Sequence, residues 1–176
     1  MKLETEKELM TDERPFDPLG RRLAVGIASL AYVGFFPFAP GTLATLMIAV
    51  PCAILLAQFH WVVYAGATAV IFAVSCLTAG RAGRAFGVPD SRKVVIDELA
   101  GYLVAMFMIP VNWKTVAFSF ILFRFFDVVK PWPVCWADRK VHGGIGVTLD
   151  DVLAGGYVLA LGHILLALWP ALLGRL

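Results

Sequence analysis

Residues 123–155, FRFFDVVKPWPVCWADRKVHGGIGVTLDDVLAG, hold the side chains most able to do chemistry. Arg124, Asp127, Lys130, Asp138, Arg139, Lys140, His142, Asp150 and Asp151 fall between hydrophobic runs. Ionisable groups at a membrane boundary are costly unless paired or liganded, which makes them candidates for a site. Carboxylates hold hard cations and bases hold phosphate, so the mixture points to metal-assisted phosphate chemistry on a lipid. A second acidic cluster, Asp97-Glu98, follows the apolar Val94-Val95-Ile96.

Each of these features also has a plain structural explanation. Asp97 and Glu98 suit a helix N-terminus, where acids gain about 0.3–1 kcal/mol. Adjacent carboxylates diverge by about 100° on a helix, so both cannot point the same way without distortion. Arg124 and Asp127 share one helix face as an intrahelical pair. Thr148-x-x-Asp151 has the form of a capping box, which leaves Asp150 as the stronger ligand. His142-Gly143-Gly144 reads as a loop, where a lone histidine is usually just exposed; beside Arg139 and Lys140 it can instead donate a proton or bind phosphate. Ala39-Pro40-Gly41-Thr42 reads by itself as a simple helix start, whose free N–H groups can also form an anion site.

The elements that must position these residues are apolar. The chain has 176 residues, 60% hydrophobic and 16% charged, against roughly 45–50% and 25% for soluble domains. No Asp, Glu, Lys or Arg occurs from Leu23 to Gly80 or from Val152 to Gly174, and only Lys114 from Leu99 to Phe123. Runs of this kind reach the roughly 18 residues of a membrane span. The expected fold is all-α, an integral membrane helical bundle of about four to five membrane helices with a short or re-entrant first segment. Residues 1–18 read as a polar, acidic, disordered tail without a cleavable signal, and 19–176 as a single membrane-embedded domain.

Prolines and glycines divide that domain. Residues 23–36 form a short or re-entrant helix, and Thr42 caps a helix over about 43–59. Further helices cover about 61–80, 94–109, 114–129 and 149–169, with a polar connector at 81–93 and a loop at 130–147. Pairing them as hairpins puts Arg21-Arg22, Arg81–Lys93 and Lys130–Lys140 on one side, which the positive-inside rule makes cytoplasmic. The acids go with them. Cys52, Cys76 and Cys135 form no CxxC pair and read as structural.

Four stretches, PFAPGT at 37–42, VVIDELAG at 94–101, FRFFDVVKPWP at 123–133 and DRKVHGGIGVTLDDVLAG at 138–155, resemble the phosphatidylglycerophosphatase A family in order and spacing. Where that family usually carries Gly-Ser/Thr-Gly before the first proline, this chain has Tyr32-Val33-Gly34. The resemblance implies a bacterial inner-membrane phosphatase of phospholipid biosynthesis. It would be Mg²⁺-dependent and release the terminal phosphate of phosphatidylglycerol phosphate at the cytoplasmic face. On that reading Asp97, Glu98, Asp127, Asp150 and Asp151 hold the metal. Arg124, Lys130, Arg139 and Thr42 hold the phosphate, and Asp127, Asp150 and His142 are catalytic. Attack by water and attack by a carboxylate both stay open. The expected partners are the lipid substrate and the bilayer, with no nucleic acid. The rival reading is a non-enzymatic transporter or ion-binding membrane protein, since intramembrane acids and proline-broken helices also mark transporters.

Overall fold

A computed structural model describes residues 18–88 and 91–169; the expected acidic tail lies outside the described residues. Those residues form seven helices and no strand. They are α1 (Pro18–Ala28), α2 (Pro40–Leu56), α3 (Trp61–Phe86), α4 (Ile96–Ala105), α5 (Trp113–Val129), α6 (Val134–Lys140) and α7 (Gly143–Leu168). A single 3-10 turn, Val33–Phe35, lies between α1 and α2.

Among the described residues, only α3 and α7 combine the length and apolar composition to cross a membrane, at 26 residues each. α2 is apolar but shorter. α4 has 10 residues and rises about 15 Å, half the hydrocarbon thickness. Many large apolar side chains face outward, among them Val62, Val70, Leu77, Ile121, Phe125 and Ile164. An outer surface this apolar suits lipid rather than water.

α7 runs through the middle, packed on α3, α4, α5 and α6. Small residues make its close crossings possible. A Cβ on Gly155 would lie 2.1 Å from the Gly101 carbonyl oxygen, and one on Gly101 would lie 2.5 Å from that of Asp151. Backbone approach of this kind is how helices associate where hydrophobic drive is weak. It also fixes the first turns of α4 against the stretch of α7 that bears the acids.

Several boundaries differ from the sequence expectation. α2 starts at Pro40 with Ala39 as its N-cap, so Thr42 is inside the helix and not its cap. Proline at the first helical position loses nothing there, because that N–H has no intrahelical partner. α2 then passes through one π turn, Thr45–Ala49, with Val50 N donating to the Thr45 carbonyl. Pro51 follows at once and has no N–H to continue the α ladder. α3 extends six residues past Gly80, to a left-handed cap at Gly87, which turns Arg81 and Arg84 into helical residues. The 130–147 loop contains α6, and α7 begins at Gly143, not at 149.

The last change corrects the capping box. Thr148 lies in the second turn of α7, fully buried. Its hydroxyl donates to the Gly144 carbonyl at 2.9 Å and pairs with Ser75 Oγ at 2.7 Å. It ties α7 to α3 and caps nothing.

Candidate active site

The back-and-forth path of the helices gathers one end of the bundle into a cavity of about 670 Å³. α2 contributes Gly41 and Thr42 from its first turn, α4 Asp97 and Glu98 from its own. α5 contributes Arg124 and Asp127, its C-cap is Lys130, and α7 contributes Asp150 and Asp151. Asp97, Asp150 and Asp151 are buried. Every carboxylate expected at the metal site therefore lines the same cavity, as do Arg124, Lys130 and Thr42.

The two acids on adjacent positions of α4 are separated as helix geometry demands. Asp97 Oδ1 accepts from the Glu98 backbone N–H at 3.1 Å, a helix N-terminal contact. Glu98 points across the cavity. Its Oε2 accepts from Thr45 Oγ1 at 2.7 Å and takes a short bond from Arg124 Nη1. A Cβ on residue 41 would overlap Glu98 Oε1, so glycine there makes room for the carboxylate. The π turn begins at Thr45, and such bulges often mark functional sites.

Arg124 Nη1 also lies 3.2 Å from Asp127 Oδ2, so the intrahelical pair exists and is extended to a second helix. Lys130 adopts a left-handed backbone, φ 46°, a conformation that costs a non-glycine residue about 1–2 kcal/mol. There its ammonium donates to Asp138 Oδ1 at 2.8 Å and Asp150 Oδ2 at 2.6 Å. Burial by itself would lower the Lys130 pKa, but these two carboxylates outweigh it and hold it above the ordinary lysine range. The amine is charged throughout the neutral range.

Two expected residues are not brought in. Arg139 is on α6 and His142 is the N-cap of α7, and neither lines the cavity. His142 Nε2 is buried without a hydrogen-bond partner among the described residues. The reason is the early start of α7: His142 ends a loop that is much shorter than the sequence suggested. Two contributors were missed: Thr45 holds Glu98, and Ser91-Arg92-Lys93 form part of the wall. Asp138, singled out as a charged candidate but given no role, holds Lys130. Thr45 carried a faint signal, since it lies one turn after Thr42. Arg92 and Lys93 were visible only as part of a basic connector.

The cavity thus combines five carboxylates with Arg92, Lys93, Arg124 and Lys130. Among the described residues, no three His, Cys, Asp or Glu side chains are already grouped as metal ligands. The donor set is nevertheless all oxygen and strongly acidic, which fits a hard divalent ion and not a thiophilic one. Arg124 and Lys130 neutralise the carboxylates that such an ion would otherwise engage.

Comparison with known proteins identifies the family of the chain. The family model described as Phosphatidylglycerophosphatase A matches residues 26–166. A protein named Phosphatidylglycerophosphatase A from Escherichia coli K12 is 35% identical over 146 residues, 80% of this chain and 82% of its own. One of the same name from Haemophilus influenzae is 33% identical over 154 residues, 84% of this chain and 92% of its own. A Bacteroides thetaiotaomicron protein, provisionally named a phosphatidylinositol-3-phosphatase, is 36% identical over 134 residues, 70% of this chain and 81% of its own. No solved structure matches.

Proposed function

The chain belongs to the phosphatidylglycerophosphatase A family, and from that premise we propose that it removes the terminal phosphate of phosphatidylglycerol phosphate, with Mg²⁺ as cofactor. One observation carries the reading. Five carboxylates and two buried-edge bases from three helices meet in one cavity, at one end of a bundle whose outer surface is apolar. Such a site presents phosphate chemistry to a headgroup whose acyl chains stay in lipid.

In this reading Asp97, Glu98, Asp127, Asp150 and Asp151 would hold Mg²⁺. When bound, the ion supplies charge neutralisation at the phosphate and a more acidic water. The chain's own groups do the rest. Arg124 presents planar N–H donors suited to phosphoryl oxygens, and Lys130 adds a point charge fixed by Asp138 and Asp150. Thr42 offers a hydroxyl from the first turn of α2, where the helix dipole favours an anion.

The face follows from charge. Arg92, Lys93 and Lys130 line the cavity; Arg21 donates to the Ala85 carbonyl, at the end of α3 that carries Arg81 and Arg84; and Lys114 lies in the first turn of α5, the end away from Lys130. By the positive-inside rule the cavity end is cytoplasmic in a bacterial inner membrane. The decisive assay is phosphate release from short-chain phosphatidylglycerol phosphate in neutral detergent, with Mg²⁺ or with EDTA. Release that depends on the divalent ion is the expected result; full activity after exhaustive chelation removes the metal from the reading. For sidedness, single cysteines at Arg92 and Lys140 in a cysteine-free background should resist an impermeant thiol reagent in intact cells. Labelling of either before lysis breaks the topology.

A further inference from the structure

Arg124 and Lys130 are each paired with two carboxylates, yet the cavity wall carries more positive charge than the proposed reaction uses. Ser91, Arg92 and Lys93 line the same cavity as the acids. Both basic side chains are exposed. Their segment leads into α4 and is held in place. The Lys93 carbonyl lies directly over Gly34, where a Cβ would come within 2.1 Å of its oxygen. Val94 N donates to the Ser91 carbonyl at 2.8 Å, and Val95 N to the Ala28 carbonyl at 2.9 Å. The Lys93 ammonium lies 4.9 Å from the Phe35 ring centroid and 5.1 Å from that of Phe86. Cation–π attraction to two rings holds that charge in position.

The substrate of the proposed reaction carries two phosphates, a terminal monoester and the diester that joins its glycerol to the lipid. A monoester held among the carboxylates leaves the diester one glycerol unit away, still charged and in need of its own donors. The cavity, at about 670 Å³, is much larger than a single phosphoryl group. We propose that Arg92 and Lys93 form a second phosphate subsite, which takes the phosphodiester of the headgroup and so favours lipids with both a monoester and a diester over lipids with a monoester alone. The inference rests on the reaction proposed above. Arg92 supplies a donor fork for the two non-bridging oxygens, and Lys93 a point charge whose place is set by Phe35 and Phe86. Gly34 acts indirectly, by letting the 91–93 segment approach the turn that carries Phe35.

The test compares short-chain phosphatidylglycerol phosphate with phosphatidic acid of the same chain length, in neutral detergent with Mg²⁺. The proteins are the full chain, the charge-removing double variant R92Q/K93Q and the charge-keeping R92K/K93R. Elution profile and thermal unfolding report on folding. The expected result is a drop in kcat/KM for the diester-bearing lipid about tenfold greater than the drop for phosphatidic acid. It should fall mainly on KM, and R92K/K93R should regain most of the preference. Equal losses on the two lipids, or none, overturn the subsite. So does a loss seen on anionic vesicles but not in neutral detergent, which would assign the pair to neighbouring headgroups of the bilayer. A wild-type protein that does not turn over phosphatidylglycerol phosphate overturns the reaction and the subsite together. A wild-type protein that does, beside a double variant with the same preference, overturns the subsite alone.

Discussion

The two ends of the bundle are made by the same long helices and treat polar atoms in opposite ways. At the far end, where α2, α4 and α5 turn, a smaller cavity of about 230 Å³ is lined by Ala57, Phe59, Trp61, Tyr64 and residues 106–109. Polar groups there are satisfied by backbone. Tyr64 OH donates to the Leu103 carbonyl at 2.9 Å, and Thr115 Oγ1 to that of Pro110 at 2.6 Å. Asn112 caps α5 by accepting from Lys114 and Thr115 N–H groups. At the cavity end, side chains satisfy side chains across helices. Thr45 and Arg124 meet Glu98, and Lys130 meets Asp138 and Asp150. A backbone partner completes a helix end and leaves nothing to exchange. A network of paired charges can be reopened by a cation or a phosphate that offers better partners. The comparison separates an end that stabilises the fold from an end that can bind and react.

The comparison breaks most visibly at the acids. Asp127→Asn and Asp150→Asn are each expected to lower phosphate release by about 100-fold or more, with expression and detergent elution unaltered. Near-wild-type turnover in either variant at saturating Mg²⁺ takes that residue out of the site. A smaller effect is expected one contact away. Thr45→Val removes the hydroxyl bonded to Glu98 while keeping the residue's volume, and a bond to a charged group is worth about 1.5–3 kcal/mol. Turnover should fall by about tenfold, chiefly in kcat, and Thr45→Ser should restore most of it. A Thr45→Val enzyme with wild-type kcat would reduce the π turn to a consequence of Pro51. The smallest effect belongs to the far end. Tyr64→Phe leaves the Leu103 carbonyl without its side-chain donor and should cost about 1 kcal/mol of stability. Its phosphate release should stay within about twofold of wild type at a temperature below unfolding. A large loss of activity with unaltered thermal unfolding would show that the two ends are coupled.

Much of what lines the cavity can be read from the residue order. The charge-free runs marked the apolar helices, because burying charge in lipid is costly whatever the fold. Beyond residue 17 the chain has seven acids, and all but Asp90 fall in three short clusters, Asp97-Glu98, Asp127 with Asp138, and Asp150-Asp151; of these six, all but Asp138 line the cavity. Helix ends were legible where a local cause sets them, as at Val129 before Lys130 and Pro131. They were misplaced where packing sets them. α7 begins at Gly143, and its second residue, Gly144, packs against the Cys76 carbonyl, where a Cβ would come within 1.9 Å; that contact is invisible to local pattern. His142 and Arg139, expected at the site, do not line the cavity.

What the residue order determined by itself is an inventory: apolar lengths, breakers, and the types of charge available to hold metal and phosphate. These depend on each residue's own transfer cost and backbone preference, which need no partner. Only the tertiary structure decided which charges meet. Thr45 finds Glu98 across 53 residues and Arg124 finds it across 26, by way of a π turn and helix crossings set by glycine. Pairings at such separations arise from three-dimensional packing, and the divergence of Asp97 and Glu98 into two different roles within one cavity follows from it.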